Sequence, residues 1–372
     1  MVISSAHSIY WLRESIWFDQ QGGHVKRCVK RYGVPKQIVI LTQETYRGYV
    51  CRVVHEGQVS EPISVQTRVR QSCILSPTMF LIMIDAVMRN VNWDRWRGIQ
   101  WSLVNRLEDL DFADDLCLLS ATHGNIQMKL EDLTNKAEKT GPIINVKKTK
   151  ALRINTSKTD SFTLRGESIE DVDSFTYLGS VVAEDGVAVQ DVSQRIRKAN
   201  GAFVQLYPVW KNNRISTRTK LCIFCSNVKS VLLYGSETRK EMKTTASKLQ
   251  IFVNRCLWWI LNIHWLEMIS NKELWRRTGE IEMSMQIRRQ KWNWIGHTLR
   301  KGHEAIEREA LDWNPQVKRR RGRSRHTWRR TVHNQPLEKV KSWSEVKRMT
   351  GNRTRWRCFV DALCPLRNNR NW

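Results

Sequence analysis

No stretch of the 372-residue sequence approaches the roughly 18 consecutive apolar residues of a spanning helix, so a membrane protein of that kind is not expected. The opening residues, "MVISSAHSIYWLRESIW", lack the basic stretch, apolar core and cleavage site of a secretory signal. Cysteines number nine, an odd and scattered set, which fits a reducing compartment better than a disulfide framework; nucleus or cytoplasm is the expected location. Acidic residues are in short supply, with 36 against 62 lysines and arginines, a net charge of +26. The deficit is lopsided. Residues 1–180 hold 23 basic and 20 acidic side chains, whereas residues 181–372 hold 39 and 16. A one-sided positive field of this size calls for a polyanion partner, and nucleic acid is the natural one.

What is present falls into two textures. Up to about residue 186 the chain alternates helical and strand patterns. "CRVVHEGQVSEPISVQTRV" reads as two strands around Glu56-Gly57, and "SPTMFLIMIDAVMRNV" as a helix with Ser76 at its N-cap and Pro77 at its first position. "HGNIQMKLEDLTNKAEKTG" has helical spacing up to Gly141, and "SFTYLGSVV" is the clearest of the strands that follow. Beyond residue 187 come long helical runs carrying Lys, Arg and twelve of the 17 tryptophans past residue 200. The expected fold class is α+β for the first half, with a helical, basic second half.

The chemistry centres on "LDFADDLCLLS", residues 110–120, which reads as strand, tight turn, strand with Asp114 and Asp115 at the tip. Two readings stand open. Aspartate is a common turn residue; equally, paired carboxylates are what a metal-dependent phosphoryl-transfer site requires, although strand alternation aims only one of the two squarely at a given ion. A second metal reading, zinc on Cys222, Cys225, Cys256 and His264, competes with simple core packing of the cysteines, which is preferred. Tryptophans 258, 259, 265, 292 and 294 are expected in the core. His297 is expected to be packed or hydrogen-bonded, and Asp85 to be a surface or hydrogen-bonding residue.

Several blocks, in order, carry a family resemblance. Arg70-Gln71-Ser72-Cys73-Ile74-Leu75-Ser76-Pro77 precedes Phe112-Ala113-Asp114-Asp115. Asn145 with Lys148-Thr149-Lys150 follows, and then Tyr177-Leu178-Gly179. Together with "YGVP" (32–35), "VKSVLLYGSET" (228–238) and "KWNWIGHTLRK" (291–301), they resemble the polymerase region of non-LTR retrotransposon reverse transcriptases from about residue 24 to about residue 335. The resemblance implies a partial right-hand polymerase palm followed by a helical thumb-like region and a basic C-terminal region. It divides the chain into 1–23 (irregular), 24–186 (palm-like), 187–300 (thumb-like) and 301–372 (basic, nucleic-acid binding).

It further implies that Asp114 and Asp115 hold catalytic Mg²⁺, that Gln71 and Ser72 line the template and nucleotide site, and that Lys148 neutralises phosphate charge. The implied partners are an RNA template, a DNA primer or target, and deoxynucleoside triphosphates. Lys318, Arg319, Arg320, Arg321, Arg323 and Arg325, within the eight basic residues of 318–330, are expected to grip nucleic acid.

The pattern is broken in three places. The family carries a further metal-binding aspartate upstream, in a segment of the form Asp-x-x-Lys-Ala-Phe-Asp. Here only "RESIWFD" (13–19) stands in reach, which puts Arg13 where the ligand belongs and Glu14 one residue out of register. Ser72 replaces a glycine that lets backbone approach a ligand closely. The fingers and endonuclease have no room in the chain. The expectation is therefore a truncated copy that no longer polymerises.

Overall fold

The computed structural model describes residues 2–4, 9–11, 31–46, 50–64, 74–91, 97–100, 105–113, 115–140, 142–154, 160–183, 189–240, 242–263, 267, 269–302, 304–313, 328–335 and 342–365. The chain divides into two compact units, Met1–Gly186 and Val187–Trp372. Helices and sheets mix in the first, and the second is helical among its described residues. No described helix is long and apolar enough to cross a membrane.

The first unit is built on a five-stranded sheet of β1 (Val2–Ser4), β2 (Asp109–Phe112), β3 (Asp115–Leu118), β4 (Lys150–Leu152) and β5 (Glu170–Val172). Its strand order is β5-β4-β1-β3-β2. All neighbours are antiparallel except β4 and β5. Strand alternation sorts the residues of β3 into two sets. Leu116 and Leu118 join a core with Ala151 and with two helices, α2 (Leu75–Asn90) and α3 (His123–Thr140). Cys117 and Leu119 belong to a smaller cluster on the opposite side.

On α3 the residues Ile126, Lys129, Leu130, Leu133 and Ala137 recur at helical spacing and are buried, so this stripe anchors the helix to the sheet. Each buried leucine or isoleucine contributes roughly 1.5–3 kcal/mol relative to exposure. Helix α1 (Lys36–Tyr46) precedes a set of two-residue strands between Val50 and Ser64.

One tight hairpin falls where the sequence marks it, at Glu56-Gly57, whereas "SFTYLGSVV", expected as a single strand, is divided by a turn at Leu178-Gly179. Glu56-Gly57 and Leu178-Gly179 each take positive φ at both positions (47° and 79°; 48° and 77°). That conformation matches hairpin twist and calls for glycine second. The latter pair joins β6 (Ser174–Tyr177) to β7 (Ser180–Ala183).

One expectation fails at the start of α2. The helix begins at Leu75, the cap position is Ile74 with helical dihedrals and no side-chain cap, and Ser76 is buried in the first turn. Pro77 is tolerated there because first-turn N–H groups have no intrahelical acceptor anyway. Asp85, further along the helix, accepts a hydrogen bond from Tyr32 and pairs with Arg89 at 2.8 Å, as a hydrogen-bonding residue should.

In the second unit, α4 (Val189–Gln205), α5 (Tyr207–Lys211) and α6 (Thr217–Ile223) lead into a π-helix at Phe224–Lys229 and then α7 (Ser230–Leu233). They pack with α8 (Lys243–Ile260) and α9 (Asn271–Thr278) around Phe203, Trp210, Phe224, Leu249, Phe252 and Leu257. Helix α10 (Met283–Leu299) enters this core with Ile287 and a second one with Trp292, Ile295 and Leu299. The second core also takes Leu311 of α11 (Ile306–Asp312), Val332 of α12 (Trp328–Asn334), Val346 of α13 (Trp343–Met349) and Trp356 of α14 (Arg353–Leu363). Chain on both sides of residue 300 thus shares one core. Much of the C-terminal segment is folded onto α10, because its tryptophans and aliphatics have that surface to bury.

Three further expectations are corrected here. Cys222 and Cys225 are exposed, since the buried stripe of that segment runs Phe224, Val228, Leu232, one helical turn apart, and leaves both cysteines off it. His297 is exposed on α10, turned away from the buried neighbours Gly296 and Thr298. Trp259 is exposed, whereas Trp292 is fully buried and Trp258 packs on the core. Trp265 and His264 lie outside the described residues.

Candidate active site

The aspartate hairpin is pinned at its base, and Phe112 and Ala113 near its tip are exposed. Phe112 pairs with Asp115 and Leu110 with Cys117, and Ala113 takes φ 55°, a left-handed conformation that costs a non-glycine residue about 1–2 kcal/mol. At the base, Lys129 reaches from α3. Its ammonium donates to the carbonyls of Leu119 (2.7 Å) and Glu108 (3.0 Å) and pairs with the Glu108 carboxylate. Burial pushes the Lys129 ammonium down from its ordinary pKa, and the Glu108 partner opposes that shift. The signal in the sequence was a lysine on an otherwise apolar helical stripe, between Ile126 and Leu130.

Asp115 shares its strand face with Cys117, on the side of the sheet away from the α2–α3 core. On that side Tyr177 packs against Cys117, and its hydroxyl donates to the Leu110 carbonyl at 3.2 Å. Burial first, then Cys117 and the carboxylates of Asp115, Asp111 and Asp109, hold the Tyr177 phenol well above its ordinary pKa. The Tyr-Leu-Gly hairpin and the Phe-Ala-Asp-Asp hairpin, distant in sequence, are thus brought into contact.

Lys148 lies in the turn before β4, with its backbone N–H on the Asn145 side chain at 3.2 Å. Because Ile3 of β1 pairs with both Cys117 and Lys150, that turn and Asp115 lie at the same end of the sheet, two strand spacings or about 10 Å apart. Asp114, Gln71, Ser72 and the basic residues Lys318 to Arg325 lie outside the described residues.

The strand that borders the aspartate hairpin is β1, Val2–Ser4; residues 13–19 lie outside the described residues. None of Val2, Ile3 and Ser4 is a carboxylate. Among the described residues no three His, Cys, Asp or Glu side chains converge as a metal site. A pair of Mg²⁺ ions demands several oxygen ligands each. The described residues at the hairpin offer Asp115 alone on the open face, because Asp109 and Asp111 alternate to the other side, so they do not fit a two-ion centre. The zinc reading meets a related obstacle. The Cys225 thiol donates to Glu280 at 3.5 Å, and the Glu280 charge beside it opposes the thiolate that zinc needs.

Asp109 escaped notice in the sequence. Burial, then the neighbouring Asp111 charge, raises its pKa to about 6, with Lys129 opposing. The folded chain therefore holds a proton there that the unfolded chain releases near pH 4. Its contribution to stability is present below about pH 4 and is lost as pH rises through about 6. Asp109→Asn is expected to flatten that fall, with the gap from the unaltered chain opening between pH 4 and 6 in urea melts. A constant gap across this range would refute the shift.

Comparison with known proteins places this geometry. Residues 24–182 match the family described as reverse transcriptase (RNA-dependent DNA polymerase), and residues 202–234 match a domain of unknown function. A transposon-derived protein of Caenorhabditis elegans is 28% identical over 235 residues, covering 60% of this chain and 82% of that protein. The Pol polyprotein of the type-1 retrotransposable element R2 of Popillia japonica is 24% identical over 174 residues, covering 44% of this chain and 28% of the polyprotein. The Pol polyprotein of the type-2 element R2DM of Drosophila melanogaster is 29% identical over 103 residues, covering 28% of this chain and 10% of the polyprotein. The chain thus spans well under a third of either polyprotein it matches. Residues 24–182 thus match a reverse transcriptase domain, and the chain is similar to transposon-derived proteins, among them the Pol polyproteins of R2 retrotransposable elements.

Proposed function

We propose that this chain is a reverse transcriptase fragment that binds RNA and DNA without polymerising, its first unit a partial palm and its helical unit a thumb-like and basic region. One observation carries the reading. The aspartate hairpin is kept and braced by Lys129 and Tyr177, yet the strand beside it, Val2–Ser4, supplies no carboxylate. Lys148 and the residues Gln71, Ser72 and Lys318 to Arg325 keep the roles of phosphate and template contacts. Mg²⁺ binds weakly through Asp114 and Asp115, in the millimolar range or worse, for want of a third anionic ligand among the described residues.

Binding scored apart from synthesis tests this. Fluorescence anisotropy with a labelled RNA–DNA template-primer should give a log affinity that falls with log salt at a slope of roughly −3.5 to −4.5, if about five phosphates are neutralised. Deleting residues 318–330 should flatten the slope by about half. Binding indifferent to salt, or untouched by the deletion, would remove the basic tail from the interface.

A further inference from the structure

Between Asp191 and Glu237 the chain holds no acidic residue, and between Glu241 and Glu267 it holds none either. These two stretches supply α5, α8 and all of α4 beyond its first turn, and the three helices pack on one another around Phe203, Trp210 and Phe252. Their outer surface carries an aromatic pair that the core does not use. Trp259 is 52% exposed and Tyr207 37% exposed, with ring centroids 5.7 Å apart and planes at 61°. The Lys211 ammonium stands 4.8 Å from the centre of the Tyr207 ring. One turn before Trp259 on α8 is Arg255, which also exposes its side chain and donates to the Asn200 side chain of α4 at 3.1 Å.

Helix periodicity explains why the pair is there. Cys256, Leu257 and Ile260 face the core, and Trp259 falls on the far side of the same turn. The result is two large rings, with Lys211 over one and Arg255 a helical turn from the other, on stretches of chain that bring no carboxylate to oppose a phosphate.

Resting on the nucleic-acid reading above, we propose that this surface is a binding site for nucleic acid with unpaired bases. Trp259 and Tyr207 present rings on which bases stack, and Lys211 and Arg255 take the flanking phosphates. Unpaired bases are specified because a duplex hides its base faces in its own stack, whereas every unstacked base offers one. The site lies apart in sequence from residues 318–330 and needs no metal.

The test uses the full chain and a fluorescein-labelled 15-mer of deoxythymidine with 5-bromouracil substituted at alternate positions. Irradiation and peptide mass spectrometry should place adducts on the peptides holding Tyr207 or Trp259. Trp259→Ala should weaken binding about 5- to 100-fold at unchanged salt slope, with Trp259→Phe retaining most of the affinity. Arg255→Ala should instead reduce the slope by about 0.7, one phosphate's worth on a single strand. Adducts confined to other peptides, or full affinity in a Trp259→Ala chain of unaltered helix content, would overturn the site while leaving tail-driven binding in place. No binding of the oligonucleotide by the unaltered chain would sink both this site and the nucleic-acid reading beneath it.

Discussion

No extension product is expected when the purified chain is given an RNA template, an annealed primer, deoxynucleoside triphosphates and Mg²⁺ or Mn²⁺. The reason is charge and geometry at the hairpin. Two divalent ions bring four positive charges, and the tip offers Asp114 and Asp115, of which alternation aims one. The strand alongside adds Val2, Ile3 and Ser4. A missing ligand of this kind removes stabilisation of the transition state and not of template binding. The rate should therefore fall by about 10⁴-fold or more, some 5 kcal/mol of barrier, while template affinity persists. The comparison is a version carrying an Asp-x-x-Lys-Ala-Phe-Asp segment in place of residues 13–19 together with Ser72→Gly. Efficient synthesis by the unaltered chain, abolished by Asp114→Ala, would show that some other carboxylate completes the site.

Gly296→Ala should destabilise the helical unit, against the usual sign. Mid-helix glycine ordinarily costs about 1 kcal/mol relative to alanine, so propensity alone favours the change. Here a Cβ at residue 296 would lie 2.1 Å from Trp356 Nε1 and 2.4 Å from its Cε2. The indole has nowhere to go. It is buried, 6.0 Å from the Trp292 ring and 5.3 Å from the Phe359 ring. Overpacking of this kind costs up to about 3 kcal/mol, leaving a net loss of about 1–2 kcal/mol after the propensity gain, or roughly 5 °C in thermal midpoint for a unit of this size. Gly201 is the control. It lies within α4, where an added methyl group would meet nothing within 4 Å, so Gly201→Ala should stabilise by about 0.5–1 kcal/mol. Equal effects at the two sites would mean that α10 and α14 do not approach as closely as the structure has them.

Local pattern was enough for much of this protein. The order of the Gln71, Asp114–Asp115, Lys148 and Tyr177–Gly179 blocks pointed to the reverse transcriptase domain, and the Glu56-Gly57 turn placed its hairpin, because both are read from neighbours along the chain. Net charge likewise called for a polyanion partner from composition alone. What local pattern could not decide was which residues meet. Nothing around "LEDLT" says that Lys129 will reach back to Glu108 and Leu119, and nothing near "SFTYLG" says that Tyr177 will brace the aspartate hairpin. Both contacts arise from sheet pairing and helix packing between distant segments. Nor was the strand beside the hairpin legible: strand neighbours are set by the whole sheet, and three residues, Val2–Ser4, carry too short a pattern to be read as one. Five tryptophans were expected in the core, and Trp292 and Trp258 are packed there. Trp259 is outside because helix phase, once α8 is seated on Cys256, Leu257 and Ile260, leaves it no core to enter.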